Sequence, residues 1–250
     1  RPFMANNSIA KIIIVLSIIG ISKLEVKIGL LIIATNKYIR FLQPLITSAD
    51  KFLLKNQEVT YFVFTNEDVE LFTERNVVKI NVEHKDWPWM TLGRYKIFNE
   101  SRKELSEMDY LFYSDADMKF VSEVGDEIIS ERVATQHPGF YGSKGTPETN
   151  PNSLAYIDPN DQNQYFAGGF NGGTSEEYLK MAKNLADNID IDFKNGIIAK
   201  WHDESHMNRY FFDNTPTKIL NPSYCYGESM NIPFDKKLIA LDKNHEEVRN

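Results

Sequence analysis

The sequence is short of the features that mark several common protein classes. Its 250 residues include a single cysteine, Cys225, which excludes an internal disulfide framework and a cysteine-based zinc site. The net charge is −7 and no run of basic residues occurs, so nucleic acid is not an expected partner. The first predicted strand is not followed by Gly-x-Gly-x-x-Gly, and a Walker lysine motif is absent. A nucleotide bound by this chain must therefore have its phosphates held in another way.

Long hydrophobic runs are also scarce. The most apolar stretch, residues 9–21, has thirteen residues and is interrupted by Lys11 and Ser17, whereas a membrane-spanning helix needs about 20. This length fits the hydrophobic part of a signal peptide or a short signal-anchor, and an added strand or a disordered leader fits equally well. We therefore treat residues 1–24 as a leader or short signal-anchor, and residues 25–250 as one domain.

Aromatic residues are plentiful, with 16 Phe, 12 Tyr and 3 Trp, which suits a large core and also a site that stacks on sugar rings. Near-continuous apolar runs predict strands buried on both faces of a parallel sheet, and helical spacing of apolar residues predicts helices between them. Strands are predicted at residues 26–35, 59–65, 77–82 and 110–117, and helices at residues 38–55 and 91–105, with Thr91 as N-cap. This β-α-β-β-α-β order is typical of an α/β fold.

Two carboxylates end the strand predicted at residues 110–117. Asp115 and Asp117 are one residue apart, and side chains two positions apart on an extended chain point the same way. The strand would therefore present both at its carboxyl end, where ligands bind in open α/β sheets. Mg²⁺ and Mn²⁺ prefer such oxygen ligands, commonly one or two carboxylates together with substrate phosphates. The alternative is a polar turn after the strand, since Asp is a common turn residue.

The second half of the chain begins with an irregular segment. Residues 133–165 lack periodicity, which is typical of a functional or disordered loop. Residues 165–173, Tyr-Phe-Ala-Gly-Gly-Phe-Asn-Gly-Gly, contain two glycine pairs that would let a ligand approach the backbone closely, or that belong to a bulged strand and turn. A helix is predicted from Thr174 to Ile189, with Thr174 and Glu177 forming a capping box.

A cluster of charged and aromatic residues follows at 201–206, Trp-His-Asp-Glu-Ser-His. Asp203 is predicted to be an N-cap, which places Glu204 in the first helical turn, where the helix dipole favours an ionised carboxylate. The alternative is that Glu204 is an ordinary helix-start residue. The residue order does not match the His-Glu-x-x-His zinc pattern, so no zinc is assigned. The polar tail, residues 243–250, is otherwise typical of a frayed terminus.

Taken together, these stretches resemble glycosyltransferase family 6, which holds the ABO blood-group transferases, α-1,3-galactosyltransferase and bacterial relatives. The matching segments follow the family's order and are residues 110–118, 137–142, 155–157, 167–173, 201–210, 216–220 and 243–250. The resemblance implies a GT-A fold with a single Rossmann-like, nucleotide-binding α/β sheet. It implies a UDP-binding half at 25–118, an acceptor-binding and catalytic half at 119–242 and a lid at 243–250. The implied reaction is retaining transfer from a UDP-sugar to O3 of a galactoside.

The resemblance also implies a role for individual residues. Asp115 and Asp117 would hold Mn²⁺, with Mg²⁺ as a substitute, against the UDP diphosphate, and Glu204 would be the nucleophile or the stabiliser of an oxocarbenium ion. The remaining implied donor-binding residues are Tyr38, Arg94, Ala116, Ala167, Gly168, Gly169, Asp203, Lys243 and Arg249. The implied acceptor-binding residues are His137, Trp201, Glu204 and Glu228.

The donor sugar follows from residue size within the resemblance. The segment at residues 167–169 corresponds to the part of the family that lines the donor's 2-substituent, and small residues at both ends leave room for an acetamido group. Ala167 and Gly169 are both small, so UDP-GalNAc is predicted over UDP-Gal. A large pocket discriminates weakly against a smaller substrate, so some galactose transfer is expected. The alternatives are a UDP-Gal-dependent α-1,3-galactosyltransferase and a non-catalytic sugar-binding relative, and a metal-dependent phosphoryl hydrolase is a third class.

The acceptor and the location are inferred from finer similarities. Residues 137–142 resemble the ABO branch, which implies a fucosylated galactoside, Fucα1-2Gal. The chain departs from that branch at residues 147–151, and at Gly227, where the ABO enzymes carry an acceptor-binding Asp for which Glu228 would substitute. A bacterial or phage-like member would be cytoplasmic or loosely membrane-associated, and an animal member would be a Golgi membrane protein.

Overall fold

The computed structural model describes residues 26–244, 247 and 248, so the predicted leader lies outside the described residues. The strands are β1 Lys27–Ile33, β2 Glu58–Thr65, β3 Asn76–Asn81, β4 Tyr110–Ser114, β5 Met118–Phe120, β6 Arg132–Thr135, β7 Phe170–Thr174, β8 Lys218–Leu220, β9 Tyr226–Gly227 and β10 Leu238–Ala240. The helices are α1 Ile39–Phe52, α2 Trp89–Glu100, α3 Arg102–Leu105, α4 Ser175–Lys194 and α5 His202–Asp213. Among the described helices, none is both long and apolar enough to cross a membrane.

Seven strands form one central sheet in the order β3-β2-β1-β4-β7-β6-β8. The first four are parallel, with Leu31 opposite Phe62 on one side and Tyr113 on the other. Alternate residues of these strands enter two separate hydrophobic cores, one of which includes α1 while the other includes α2 and α4. Burial on both faces explains the unbroken apolar runs. The predicted α/β class and its GT-A architecture are confirmed, although the sheet is mixed.

β7 is the strand that changes the direction of the sheet, since it pairs antiparallel with both β4 and β6. Its glycines allow this close pairing: a Cβ on Gly172 would collide with the Phe112 ring, and one on Gly173 would collide with the carbonyl of Glu131. The second glycine pair of the 165–173 segment therefore serves the sheet. The first pair, Gly168-Gly169, precedes β7 and contacts residues of the candidate site described below.

Several predicted boundaries were wrong at the ends of elements. β4 ends at Ser114, so Asp115 and Asp117 lie in a turn and not on the strand. Thr91 does not cap α2, because that helix begins at Trp89 and the Thr91 hydroxyl donates to the Pro88 carbonyl at 2.7 Å.

The predicted caps of α4 and α5 had mixed outcomes. Thr174 caps α4 by accepting from the Glu177 amide, as predicted. The capping box is incomplete, however, because the Glu177 carboxylate accepts from Arg132 Nη1 at 3.0 Å. Trp201 is the N-cap of α5, so Asp203 lies inside the first turn together with Glu204. The position predicted for Glu204 is therefore confirmed and the cap predicted at Asp203 is wrong.

A small second sheet, in the order β5-β10-β9, joins the turn after β4 to the end of the chain. β10 pairs antiparallel with β5 immediately after Asp117, and the Leu241 amide donates to the Asp117 carbonyl at 2.9 Å. This pairing places the segment that starts at residue 241 beside the carboxyl ends of the parallel strands.

Candidate active site

A cleft opens at the carboxyl edge of the parallel strands, where ligands bind in α/β sheets. Six of the residues implied by the resemblance border it, namely Tyr38, Arg94, Asp115, Ala116, Asp117 and Lys243. The cleft is also bordered by Thr35, His84, Trp87 and Val248, which the sequence did not single out. Residues 115–117 form a turn, as one of the two interpretations of the sequence expected. The carboxylates of Asp115 and Asp117 nevertheless border the same cleft.

Asp115 is held from one side by an aromatic hydroxyl and from another by a cation. The Tyr113 hydroxyl donates to Asp115 Oδ1 at 2.5 Å, and Arg94 Nη2 lies 3.4 Å from the same oxygen. Asp115 is therefore fixed at the cleft as an acceptor of positive charge.

Asp117 is buried and already pairs with a cation of the chain itself. Its carboxylate forms an ion pair with the Lys243 ammonium, which also lies 5.4 Å from the centre of the Tyr38 ring. Asp117 therefore sits where a positive charge is favoured. Among the described residues, no group of three or more His, Cys, Asp and Glu is arranged to hold a metal ion. A metal held by Asp115 and Asp117 would need further oxygen ligands from a substrate.

Arg94 is the link between the two halves of the site. It is 8% exposed, with its guanidinium 4.3 Å from the centre of the Tyr113 ring. Its Nε lies 3.3 Å from Asp203 Oδ2, and Nη1 donates to the Gly168 carbonyl at 3.3 Å. The resemblance implied that Arg94 contacts the donor. In the structure Arg94 links the turn after β4 to α5, through Asp115 and Asp203. Burial raises the pKa of Asp203 to about 6, a rise that Arg94 partly opposes.

Glu204 is oriented by two donors on the acceptor side. The Tyr165 hydroxyl donates to Oε1 at 2.8 Å, and the Gly168 amide donates to Oε2 at 2.8 Å. Burial raises the pKa of Glu204 to about 7, while both hydrogen bonds act to lower it. A buried carboxylate that is fixed by hydrogen bonds and has a raised pKa is typical of catalytic groups, so Glu204 stays a candidate catalytic residue.

The other implied acceptor residues fall into two places. The His137 ring packs 5.7 Å from the Tyr165 ring, and Trp201 Nε1 donates to the Thr146 hydroxyl at 2.8 Å. Trp201 is 46% exposed and can offer its face to a sugar. Glu228 contacts the segment that leads to Lys243, since its carboxylate accepts from the Asp242 amide at 2.8 Å.

The Ala167-Gly168-Gly169 segment passes between the carboxylates. The Asp115 amide donates to the Gly169 carbonyl at 3.0 Å. A Cβ on Gly169 would lie 3.2 Å from both Asp115 Oδ2 and Cys225 Sγ. These close neighbours leave little room for a side chain at position 169. Ala167 is buried within the hydrophobic core.

Two described residues of the tail are packed against the protein. Val248 is 4% exposed and borders the cleft, and Glu247 Oε1 accepts from Arg40 Nη1 at 3.0 Å. Lys37 Nζ donates to the Glu247 carbonyl at 3.1 Å. These contacts argue against a frayed end at residues 247 and 248. Arg249, implied by the resemblance, lies outside the described residues.

Sequence reasoning missed two tyrosines that hold the carboxylates. Tyr113 lies two residues before Asp115 in β4, and this period-two spacing could have indicated a shared face. Tyr165 lies in the glycine-containing segment, but its bond to Glu204 spans 39 residues, which local spacing does not reveal. A buried tyrosine hydroxyl usually has a partner, and both of these find it at the site.

The mixed sheet, the paired aspartates after β4 and the oriented glutamate of α5 are consistent with a glycosyltransferase of the GT-A class. The chain belongs to glycosyltransferase family 6, whose model matches residues 18–250. It is 36% identical to the rat histo-blood group ABO system transferase 1, across 89% of this chain and 68% of that protein. It is 33% identical to the chicken globoside α-1,3-N-acetylgalactosaminyltransferase 1, across 91% and 70% of the two chains. The human globoside enzyme is 30% identical, across 88% and 68%.

Proposed function

We propose that this protein is a retaining α-1,3-glycosyltransferase that moves GalNAc, and Gal less readily, from a UDP-sugar to O3 of a galactoside. The observation that carries the proposal is that two hydrogen bonds fix the Glu204 carboxylate, one from the Tyr165 hydroxyl and one from the Gly168 amide. The Gly168 carbonyl in turn accepts from Arg94, which borders the cleft. The chicken and human relatives are named as α-1,3-N-acetylgalactosaminyltransferases, which supports the linkage and the donor proposed here. The acceptor proposed is Fucα1-2Gal, on the similarity of residues 137–142.

Asp115 and Asp117 are the residues that would hold Mn²⁺, with Mg²⁺ as a substitute. Their oxygen donors suit hard cations, and the ion pair between Asp117 and Lys243 supports a cation at this point. A bound dication would supply charge stabilisation for the departing diphosphate. In this proposal Lys243 adds a second positive charge at the same end of the cleft.

In this proposal, residues at one end of the site stabilise the departing diphosphate and Glu204 at the other end stabilises the anomeric carbon. The bond between the anomeric carbon and the diphosphate breaks, a bond to the acceptor O3 forms, and the acceptor hydroxyl proton is released. Positive charge builds at the anomeric carbon, and the fixed Glu204 carboxylate stabilises it there. Val248, buried at the cleft, would help to exclude water that could otherwise hydrolyse the donor.

The assay that tests this proposal is UDP release with Mn²⁺, in the presence and absence of 2'-fucosyllactose. We expect release to be stimulated by the acceptor and abolished by EDTA. Tight sugar binding without UDP release would instead indicate a sugar-binding relative. Release of inorganic phosphate without sugar transfer would indicate a phosphoryl hydrolase. Full activity in EDTA would contradict the metal proposal while leaving the transferase proposal intact.

Donor selectivity gives one prediction. We expect GalNAc to be transferred in preference to Gal when both UDP-sugars are present at equal concentration. Gly169→Ala should lower the GalNAc-to-Gal ratio roughly tenfold, which corresponds to about 1.4 kcal/mol. The added methyl group would press on Asp115 and Cys225, so the segment proposed to line the donor's 2-substituent would have to shift. The product ratio in a competition assay measures the effect, and a wild-type preference for Gal would contradict the prediction.

Tyr165→Phe should change the pH profile as well as the rate. Loss of the hydroxyl removes a hydrogen bond that lowers the pKa of Glu204. The pKa of Glu204 should therefore rise from about 7, and the acidic limb of the kcat profile should move up by about one pH unit with a roughly fivefold loss of kcat at neutral pH. The conservative change His137→Gln, beside Tyr165 but without a bond to Glu204, should leave that limb in place. An unmoved limb in Tyr165→Phe would contradict the prediction.

A further inference from the structure

The irregular segment between β6 and β7 contains a buried carboxylate. Glu148 is 7% exposed, and its two oxygens accept from the Asn150 amide at 2.7 Å and from the Lys200 amide at 2.6 Å. Burying a carboxylate is costly unless its oxygens are hydrogen-bonded, so these two contacts determine where the side chain lies. Glu148 thereby fastens the segment to the residue that precedes Trp201. The reaction proposed above uses neither Glu148 nor Lys200.

The loop that follows this carboxylate is closed and anchored a second time. The Ile157 amide donates to the Glu148 carbonyl at 3.0 Å, which closes residues 148–157 into a loop. Asp192, which is 1% exposed near the carboxyl end of α4, accepts from the Leu154 amide at 2.9 Å. Two buried carboxylates therefore hold the loop, one at its start and one near its end. A loop fixed in this way can keep its neighbours in one orientation.

Gly145 and Thr146, which come shortly before the buried carboxylate, contact two aromatic side chains of the candidate active site. Trp201 Nε1 donates to the Thr146 hydroxyl at 2.8 Å. Gly145 has a φ of +62°, and a Cβ on it would collide with the Tyr165 side chain, so its backbone packs directly on the tyrosine. One short stretch therefore contacts both the exposed indole of the acceptor side and the tyrosine that holds Glu204.

The Thr146 side chain also acts on the Tyr165 hydroxyl. Burial raises the pKa of Tyr165, and hydrogen bonding to the Thr146 side chain acts to lower it. This effect requires the Thr146 hydroxyl to donate to the Tyr165 oxygen, while the same hydroxyl accepts from Trp201. Tyr165 in turn donates to Glu204 Oε1 at 2.8 Å. The donors therefore point in one direction, from the indole to the carboxylate, and hydrogen bonds in such a chain strengthen one another.

We propose that Glu148 is a positioning residue for the acceptor, which fixes Thr146 against the Trp201 indole and thereby sets the orientation of that ring relative to Glu204. This proposal rests on the transferase function proposed above and adds a residue to its acceptor side. The acceptor sugar lies on the exposed face of Trp201, so the orientation of the indole determines how well the sugar is held. Glu148 touches no reacting atom and acts through Thr146 and Trp201.

The kinetic test compares KM and kcat for the acceptor. Glu148→Gln places an amide NH₂ against one of the two backbone N–H groups that the carboxylate now accepts from. This variant should raise the acceptor KM roughly tenfold, while kcat falls less than about threefold. Partial loss of folded protein would lower kcat without raising KM, so the KM reports positioning. Thr146→Val should have the same effect, Thr146→Ser should restore the wild-type KM, and Thr149→Val, at an exposed position of the same segment, is the control.

A nuclear magnetic resonance measurement tests the positioning without turnover. The chain has three tryptophans and so gives three indole N–H signals, of which Trp201→Phe identifies one. Glu148→Gln and Thr146→Val should each move the Trp201 signal upfield and speed its exchange with solvent, since the indole loses its acceptor, and Thr146→Ser should restore both.

Either of two results would overturn the positioning role of Glu148: an unchanged Trp201 signal in Glu148→Gln, or an unchanged acceptor KM in that variant. A wild-type protein whose UDP release is not stimulated by the acceptor would instead contradict the transferase proposal. In that case the indole signal still decides whether Glu148 orients Trp201, so the two proposals fail separately.

Discussion

Sugar transfer by Glu204→Gln is expected to fall roughly 10²- to 10³-fold, while the Kd for UDP changes by less than about twofold. Glutamine keeps the shape of the side chain and can accept from the Gly168 amide while its own amide donates to the Tyr165 oxygen. The substitution therefore removes the negative charge without removing the contacts. The loss should appear in kcat, because the charge acts on the cation that develops at the anomeric carbon.

The matched control is Glu176→Gln, which changes an exposed glutamate in the first turn of α4. This variant should transfer sugar at the wild-type rate. Thermal unfolding guards against misfolding: the folded-state pKa of Glu204 is raised, so ionisation of this group opposes folding as the pH rises through about 7. Glu204→Gln should therefore be at least as stable as the wild type at pH 8. Near-normal transfer by the glutamine variant would remove Glu204 from the proposed mechanism.

Asp117→Asn should weaken Mn²⁺ binding by more than the roughly 10- to 100-fold that loss of an outer-shell partner costs, and transfer should fall in parallel. The side chain is buried, and its carboxylate is the partner of Lys243. Asparagine retains one oxygen but carries no charge, so it holds a dication poorly. Mn²⁺ binding followed by electron paramagnetic resonance measures the effect without relying on turnover, and Asp187→Asn, on the surface of α4, is the control.

Lys243→Gln should change the same measurement in the opposite direction. The Lys243 ammonium and a dication compete for the Asp117 carboxylate, so removal of the ammonium should tighten Mn²⁺ binding to the protein without UDP. The same variant should bind UDP more weakly, because it loses a positive charge beside the diphosphate. Weaker Mn²⁺ binding in both Asp117→Asn and Lys243→Gln would show that Lys243 does not compete for this site.

The elements that could be predicted from the sequence are those whose pattern is set by burial. β1 and β2 are largely apolar because residues on both of their faces enter the two hydrophobic cores. The resemblance singled out Asp115 and Glu204, and Asp115 borders the cleft. Partners that lie far along the chain could not be predicted: the Glu177 carboxylate of α4 accepts from Arg132 on β6, and this leaves the capping box with Thr174 incomplete. Local patterns do not encode such partners.

The partners of the candidate site residues were also beyond the sequence. Arg94 reaches Asp115 and Asp203, which lie 21 and 109 positions further along the chain. Nothing in the residues around Arg94 indicates either contact, since burial of a guanidinium requires charges that tertiary structure brings to it. The resemblance implied that Arg94 contacts the donor, but it did not indicate the contact between Arg94 and Asp203 of α5.

The pairing of β10 with β5 has a consequence for how the molecule is made. The Leu241 amide and the Asp117 carbonyl that it binds are 124 positions apart, and contacts of such long range form late because much chain must be ordered first. During synthesis, residues 238–243 leave the ribosome after nearly every other part of the domain. The central sheet can therefore assemble while Asp117 still lacks Lys243, and the nascent chain would bring the two together only when β10 pairs with β5.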